Sequence, residues 1–180
     1  HENHIGAKKA VIAKRQLLAA NPHIFINCYD EKINDTNVVQ LLSEYDIIAD
    51  CTDNFSSRYL INDYCFKLGK PYVSASVSQW SGQCTTFLGT CGPCFRCLFP
   101  SPPDAVKNCS EDGVLGMLPG LFGLIQSTEI IKWILQIGDL LVGRVLVIDL
   151  LKMCFREFQL SANTDCKVCA PSHILNPSPI

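Results

Sequence analysis

Charge is scarce in this sequence and is nowhere concentrated. The 180 residues include 15 basic and 17 acidic side chains, which together make up 18% of the chain. No basic stripe of the kind that contacts nucleic acid is present, and no run of like charges marks a solvated tail. The charge pattern therefore predicts no nucleic-acid partner.

Long uninterrupted apolar runs are also missing. The most apolar region, 114–137, is broken by three glycines, by Pro119 and by the polar residues at 126–129. The part that remains is too short to cross a bilayer, which takes about 20 apolar residues. We therefore predict a buried helix in this region and no membrane association.

The sequence has neither a signal-peptide pattern nor an even number of cysteines. Its eleven cysteines form an odd set, and an odd set without a secretory signal argues against a framework of disulfides. Free and metal-bound thiols in a reducing compartment fit this composition better. We therefore expect a cytoplasmic protein.

The remaining features predict one α/β domain over 1–170, followed by a tail at 171–180. A chain of this length can bury one substantial core. A hydrophobic content of 48% is typical of a mostly parallel sheet buried on both faces. Helical and strand patterns alternate along the chain, which predicts such a sheet with helices on both faces. Helices are predicted at 6–20, 34–42, 56–68 and 118–137, and strands at 24–28, 45–50, 71–77, 82–88, 144–149 and 153–160, the last two antiparallel.

A polar cluster follows the predicted strand at 45–50 and precedes a helical pattern. Its members are Asp50, Thr52, Asp53 and Asn54. In open α/β sheets, ligands bind at the carboxyl edge of the strands, and a carboxylate there can hold a hydrated Mg²⁺ on nucleotide phosphates. Asn54 alone is typical of a helix cap. Two aspartates flanking Cys-Thr at a strand end favour a binding site.

Two C-x-x-C pairs give the strongest local signal. Cys94 with Cys97 and Cys166 with Cys169 supply four thiolates, which suit tetrahedral zinc. The pairs are farther apart than in a zinc ribbon, so the fold must close the site. Four thiolates leave no open position on the metal, which predicts a structural role. A redox C-x-x-C is the alternative, and Cys91 has the spacing to substitute as a ligand.

Four other residues receive no role from their local pattern. Cys109 lies in a polar loop, where a nucleophile would need a lowered pKa or an activating partner. Lys9 lies on the first helix, where a lysine is ordinarily a solvated charge. Arg58 and Asn62 lie one turn apart on the helix after Asp53, on one face. They either point toward the site or fix its loop.

Taken together, these stretches resemble the E1-like adenylating enzymes, the ThiF, MoeB and HesA type. These enzymes activate ubiquitin-like proteins and the sulfur carriers of molybdopterin synthase and thiamine. The matching stretches follow the family order and cover nearly the whole chain. They lie at 6–9, 21–22, 50–55, 58, 62, 69–71, 82–83, 94–100, 108–109, 113–116, 129, 132 and 166–169.

The resemblance implies a Rossmann-like fold and ATP-dependent adenylation of a carrier's C-terminal Gly-Gly carboxylate. It implies that Asp53 holds Mg²⁺, that Asn54 and Arg58 contact the nucleotide and that Lys9 reaches the phosphates. It places zinc on the four cysteines of the two pairs. Dimers are common in the family, which implies a homodimer. Because no sulfurtransferase domain follows Cys169 in the sequence, we expect any sulfur donor to be a separate protein. Cys109 matches a thiol that, in some members, receives the activated carboxylate or takes part in sulfur transfer.

Three features with which members of the family begin are missing from the sequence. They are a strand with a Gly-rich phosphate loop, an acidic residue that binds the ribose and an Arg-containing segment that meets the phosphates. No G-x-G-x-x-G precedes a helix, although backbone N–H groups of such a loop would cradle phosphate. We therefore expect the chain to be the C-terminal portion of an adenylation domain. The alternative is a non-catalytic, zinc-stabilised module that binds a ubiquitin-like protein or an E1-like partner subunit. A nicotinamide-dependent dehydrogenase has no support, because its dinucleotide fingerprint is also missing.

Overall fold

The computed structural model describes residues 5–103 and 113–170. They belong to two compact units that meet in the sequence between Ile33 and Asn34. The first unit contains α1 (Lys9–Ala20), which confirms the helix predicted at 6–20 with a later start. The strand predicted at 24–28 is wrong, because this segment pairs with none of the five strands of the sheet.

The second unit contains the sheet and the remaining described helices. In chain order they are α2 (Val38–Ser43), β1 (Ile48–Asp50), α3 (Phe55–Leu68), β2 (Tyr72–Ser78), β3 (Ser81–Phe87), α4 (Phe95–Leu98), α5 (Met117–Leu135), β4 (Arg144–Asp149) and β5 (Cys154–Gln159). Every helix and strand predicted after position 33 is confirmed within a few residues at its ends. The short helix α4 was not predicted.

The sheet is mixed, so the prediction of a mostly parallel sheet is wrong. Its strand order is β1-β2-β3-β4-β5, and β1 with β2 is the one parallel pair among them. The other three pairings are antiparallel, including the late pair β4 with β5 that the sequence predicted. Only Gln79 and Trp80 separate β2 from β3. So short a connection joins antiparallel strands, because a parallel pair needs a long crossover.

The prediction of helices on both faces of the sheet is confirmed. Neighbouring residues of a strand point to opposite faces of the sheet. Tyr72 and Val73 of β2 therefore show which helix covers each face. The Tyr72 hydroxyl donates to Asn62 of α3 at 2.7 Å. Val73 belongs to the core cluster that Leu118 and Phe122 of α5 complete. The helices α3 and α5 therefore cover opposite faces.

Helix α5 lies unusually close to the sheet where it crosses β3. A Cβ atom on Gly82 would lie 2.4 Å from the Phe122 ring and 2.7 Å from the Ser76 carbonyl oxygen. Such contacts are far inside van der Waals distance, so only glycine fits at this position. Gly82 therefore fixes the separation of α5 from the sheet.

The long helix is buried on one side only and exposes apolar side chains on the other, which corrects the prediction of a buried helix. Its buried side chains are Leu118, Phe122, Gln126 and Glu129, which form one stripe. Leu124 on another face is 68% exposed. No helix in the described part of the chain is both long and apolar enough to pass through a membrane.

Candidate functional site

The loop after β1 is organised by the buried carboxylate of Asp50. Asp50 Oδ1 accepts hydrogen bonds from the backbone N–H and the hydroxyl of Thr52, at 3.0 and 2.8 Å. Burial raises the pKa of the Asp50 carboxyl, while the Thr52 donors, Arg58 and the Ser74 hydroxyl oppose that rise. Asp50 therefore shapes the loop from inside the protein.

Asp53 and Asn54 follow at the start of α3. Asn54 is the helix cap, as its residue type indicates, because its Oδ1 accepts from the Ser57 N–H at 2.9 Å and from the Ser56 hydroxyl at 2.7 Å. Its Nδ2 donates to Asp53 Oδ1 at 3.2 Å. The Asp53 side chain is exposed. Of the two aspartates, Asp53 is thus the one that a soluble ligand can reach.

Arg58 holds the loop from the helix side. Its Nε and Nη2 both donate to the Thr52 carbonyl oxygen, at 3.2 and 2.9 Å, and its guanidinium lies over the Phe55 ring at 5.7 Å from the centroid. Arg58 is buried. Of the two roles left open by the sequence, this geometry favours fixing the loop.

Gln126 was not singled out from the sequence, yet it joins α5 to this edge of the sheet. Its Nε2 donates to the backbone oxygens of Asp50 and Val73, at 2.9 and 3.0 Å, and its Oε1 accepts from the Cys51 thiol at 3.4 Å. Both backbone oxygens belong to the parallel pair of strands. Its position at the start of the polar stretch 126–129, within an apolar helical region, is the signal that would have drawn attention to it.

The two cysteine pairs come together as a single cluster. The sulfurs of Cys94, Cys97, Cys166 and Cys169 all lie within 4.8 Å of one another. Zinc–sulfur bonds of about 2.3 Å in a tetrahedron place neighbouring sulfurs about 3.8 Å apart. The four thiols therefore fit a tetrahedral metal ion. They assemble without Cys91, which is exposed.

The thiols of this cluster differ in proton affinity. Burial raises the pKa of Cys94 to about 12, and it raises that of Cys169 as well. Burial also acts on Cys166, but the N–H groups of Cys169 and Val168 outweigh it and leave its pKa below the ordinary value. Zinc binding at this cluster would release protons, because thiols bind metal as thiolates.

A set of side chains connects the cluster to α3. Asn62 Oδ1 accepts from the Phe95 N–H at 2.8 Å, and Phe95 directly follows Cys94. Arg96, which lies between Cys94 and Cys97, makes a bidentate ion pair with Asp63 at 2.8 and 2.6 Å. The first pair of cysteines is thus attached to the helix that begins at Asn54.

Glu129 and Lys132 form a separate buried network on α5. Glu129 Oε2 accepts from the Thr86 hydroxyl and from the Leu141 N–H, each at 2.7 Å, and Oε1 pairs with Lys132. The Lys132 ammonium also donates to the Asp139 carbonyl oxygen at 2.6 Å. These charges bond to one another and to the backbone, which indicates a structural role.

Two predicted site residues lie apart from these groups. Lys9 is exposed at the first position of α1, in the first unit. Cys109 lies outside the described residues. Their predicted roles stay predictions, as do those of Asp53, Asn54, Arg58 and the four cysteines.

Comparison with protein families gives one match that covers most of the chain. Residues 1–168 match the ThiF family. Among curated proteins, adenylyltransferase and sulfurtransferase MOCS3 of Drosophila grimshawi is 42% identical over 174 residues, which are 94% of this chain and 39% of that protein. Sulfur carrier protein adenylyltransferase of Thermus thermophilus is 40% identical over 172 residues, 92% of this chain and 64% of that protein. The chain thus spans about two fifths to two thirds of these relatives.

Among solved structures, E. coli MccB with ATP superposes with a TM-score of 0.79 at 19% identity. The match covers 94% of this chain and 53% of that one. E. coli MccB with MccA-N7isoASN gives a TM-score of 0.80 at 18% identity, over 94% of this chain and 54% of the other. At such identity the likeness shows the fold alone, a mixed α/β fold similar to the Rossmann-like fold of MccB.

Proposed function

The chain belongs to the ThiF family, and on this premise we propose that it adenylates the C-terminal Gly-Gly carboxylate of a ubiquitin-like or sulfur-carrier protein. A carboxylate oxygen of the carrier attacks the α-phosphorus of ATP. The bond to the β-phosphate breaks, so that an acyl-adenylate and pyrophosphate form. The names of the two relatives, both adenylyltransferases, support this reaction.

The observation that carries the proposal is the way the loop presents Asp53. Asp50 accepts a hydrogen bond from the Thr52 N–H, and Arg58 donates one to the Thr52 carbonyl oxygen. Asp53, the next residue, remains exposed. A carboxylate fixed in this way at the edge of the sheet suits a divalent cation on phosphates.

Asp53 would hold Mg²⁺, which would neutralise charge on the nucleotide phosphates. Asn54 would orient Asp53 through the bond from its Nδ2, and we propose that Lys9 supplies a positive charge to the phosphates. The residues perform no covalent chemistry in this step. They position ATP and the carrier carboxylate and lower the electrostatic barrier between two anions.

Cys109 is the proposed acceptor of the activated carboxylate. Its thiolate would attack the carbonyl carbon of the acyl-adenylate, the bond to AMP would break, and a thioester would form. This role rests on the resemblance of the loop sequence and on a thiol that has the required nucleophilicity when ionised.

The cysteine cluster would hold one structural zinc ion. Its four sulfurs match the donor set and the spacing of a closed tetrahedral site. Because no position would stay open, the cluster has no direct part in adenylation.

We further propose a homodimer that uses the exposed side of α5. Leu124, Ile131 and Leu135 recur along that helix and are 68%, 53% and 58% exposed. Apolar side chains at this spacing form a stripe that suits a second helix. Sedimentation of the wild type and of Ile131→Glu tests the proposal, which requires a lower association state in the variant.

ATP–pyrophosphate exchange with a Gly-Gly-tailed carrier and Mg²⁺ tests the reaction. Asp53→Asn should lose at least about a hundredfold in exchange rate, because it removes the charge that binds the metal. Asp46→Asn is the matched control, since Asp46 is an exposed aspartate before β1. Its exchange should equal that of the wild type. Equal activity of both variants would overturn the role of Asp53.

A further inference from the structure

Helix α3 contacts the segment of the first cysteine pair through two buried residues, Tyr59 and Asn62, and the half-buried Asp63. We propose that Asn62 and Asp63 are positioning residues for the metal bound by the cysteine cluster. We propose also that α3 transmits metal occupancy to the loop that carries Asp53. Of the proposed function, this inference needs only the zinc ion, and it does not depend on nucleotide binding.

Asn62 supplies the buried part of the connection. It is fully buried, and its Oδ1 accepts two hydrogen bonds, from the Phe95 N–H at 2.8 Å and from the Tyr72 hydroxyl at 2.7 Å. One donor belongs to the residue after Cys94 and the other to β2. A single buried atom therefore fixes the backbone beside a metal ligand relative to the sheet.

Asp63 supplies the charged part. It receives two hydrogen bonds from Arg96, whose guanidinium also lies over the Tyr59 ring at 4.5 Å from the centroid. The Tyr59 hydroxyl in turn donates to the Phe99 carbonyl oxygen at 2.9 Å. Asn62 and Asp63 therefore hold the two residues between Cys94 and Cys97, and Tyr59 holds the backbone just after Cys97. Residues behind metal ligands orient the ligands and raise affinity.

The candidate nucleotide loop lies directly before α3, about two turns ahead of Asn62. Asn54 caps the helix by accepting from the Ser57 N–H at 2.9 Å. Between this cap and Asn62 the helix is continuous, so a displacement of the helix at Asn62 also moves the cap. Without metal, the four closely spaced thiols lose the ion that binds them together. The segment held by Asn62 and Asp63 then loosens, and α3 with it.

Zinc release to an excess of chelator tests the positioning role. Asp63→Asn should release zinc about tenfold faster than the wild type, since residues behind metal ligands typically contribute that much. Glu157→Gln is the matched control, because it removes a carboxylate charge from the Arg144–Glu157 pair at 2.8 Å on the late strands. Its release rate should stay at the wild-type value. An unchanged rate in Asp63→Asn overturns the inference.

A second pair of variants separates positioning from general stability. Asn62→Ala leaves the Phe95 N–H without its acceptor and should release zinc faster still. Tyr72→Phe removes the other bond of Asn62 and keeps the one to Phe95. It should lower the melting temperature and leave zinc release near wild type. Equal release from both variants would mean that Asn62 merely stabilises the fold. Should Asn62→Ala fail to fold, Asp63→Asn alone decides.

Amide hydrogen exchange tests transmission to the loop. In the wild-type chain, removal of zinc should speed exchange in the segment 50–58 by about tenfold or more, while β3 and β4 serve as the internal reference. Unchanged protection of 50–58 overturns the transmission. Zinc content measured by mass spectrometry keeps the two proposals apart. A chain that binds no zinc contradicts the metal of the proposed function. A zinc-loaded chain that is insensitive to Asp63 contradicts this inference only.

Discussion

The loop after β1 and the cysteine cluster both contact helix α3, and they are built in opposite ways. The loop consists of neighbouring residues and ends in one exposed carboxylate, that of Asp53. The cluster joins residues that are 72 positions apart and buries most of its sulfur. An open site suits a ligand that enters and leaves, whereas a closed site suits one that stays. The proposed roles follow this difference, with chemistry at the loop and structural support at the cluster.

Loss of one thiol should produce the largest effect. Cys94→Ser should lower the free energy of unfolding by about 4 kcal/mol or more, because loss of a metal site is among the most costly single changes. Thermal melts with and without chelator measure this. Cys91→Ser, an exposed neighbour outside the cluster, should change stability by less than about 0.5 kcal/mol. A large loss in Cys91→Ser would instead make Cys91 a ligand.

A buried carboxylate should behave unlike the exposed one of the loop. Glu129→Ala should cost about 3 kcal/mol, because it leaves two buried donors without their acceptor and Lys132 without its carboxylate. Asp53→Ala should cost less than about 0.5 kcal/mol. Urea titrations of both variants provide the measurement. A similar loss of stability in both variants would assign Asp53 a structural role and contradict the difference between the two carboxylates.

Arg58→Lys tests whether the loop is held from the helix side. Lysine cannot reproduce the fork that Arg58 directs at the Thr52 carbonyl oxygen. Stability should fall by about 1 kcal/mol, as measured by the urea midpoint. A raised KM for ATP at unchanged stability would show direct nucleotide contact instead, which is the role implied by the family resemblance.

The pH dependence of Asp50 should give the smallest effect. Burial raises the pKa of this carboxyl above its ordinary 3.8, so the folded state binds the proton more tightly than the unfolded state does. The stability that Asp50 contributes is therefore fully present below pH 3.8 and is lost as the pH rises through the folded-state pKa. Urea unfolding at pH 4 and pH 7 should show the wild type losing stability relative to Asp50→Asn. A wild type that gains stability relative to Asp50→Asn between pH 4 and pH 7 would contradict the raised pKa of Asp50.

The sequence predicted the features that depend on neighbouring residues. The helix after Asp53 and the late strands follow from local periodicity, and the cap at Asn54 from its residue type. The direction of β3 did not follow, because the parallel expectation came from the order of the elements. The short link through Gln79 and Trp80 carried the missing information. The strand expected at 24–28 failed because periodicity cannot supply a partner strand.

The candidate site shows the same division. The positions of Asp53 and of the four cysteines followed from pattern and spacing. The bonds of Arg96 to Asp63, 33 positions apart, and of Gln126 to Asp50, 76 positions apart, did not. Such contacts form only after the chain has folded, so no local pattern encodes them. The arginine between Cys94 and Cys97 and the polar stretch 126–129 are visible in the sequence, but their partners are not.

The separation of the two cysteine pairs also has a consequence for the order of folding. Closing a loop of 72 residues costs about 4 kcal/mol in chain entropy, and Cys94 and Cys97 alone supply only half of a tetrahedral site. The proposed zinc ion would therefore be captured late, after β4 and β5 have brought Cys166 and Cys169 into place. Until then the four thiols of the cluster would remain without the ion. Zinc supply and thiol oxidation during that interval should then set the yield of folded protein.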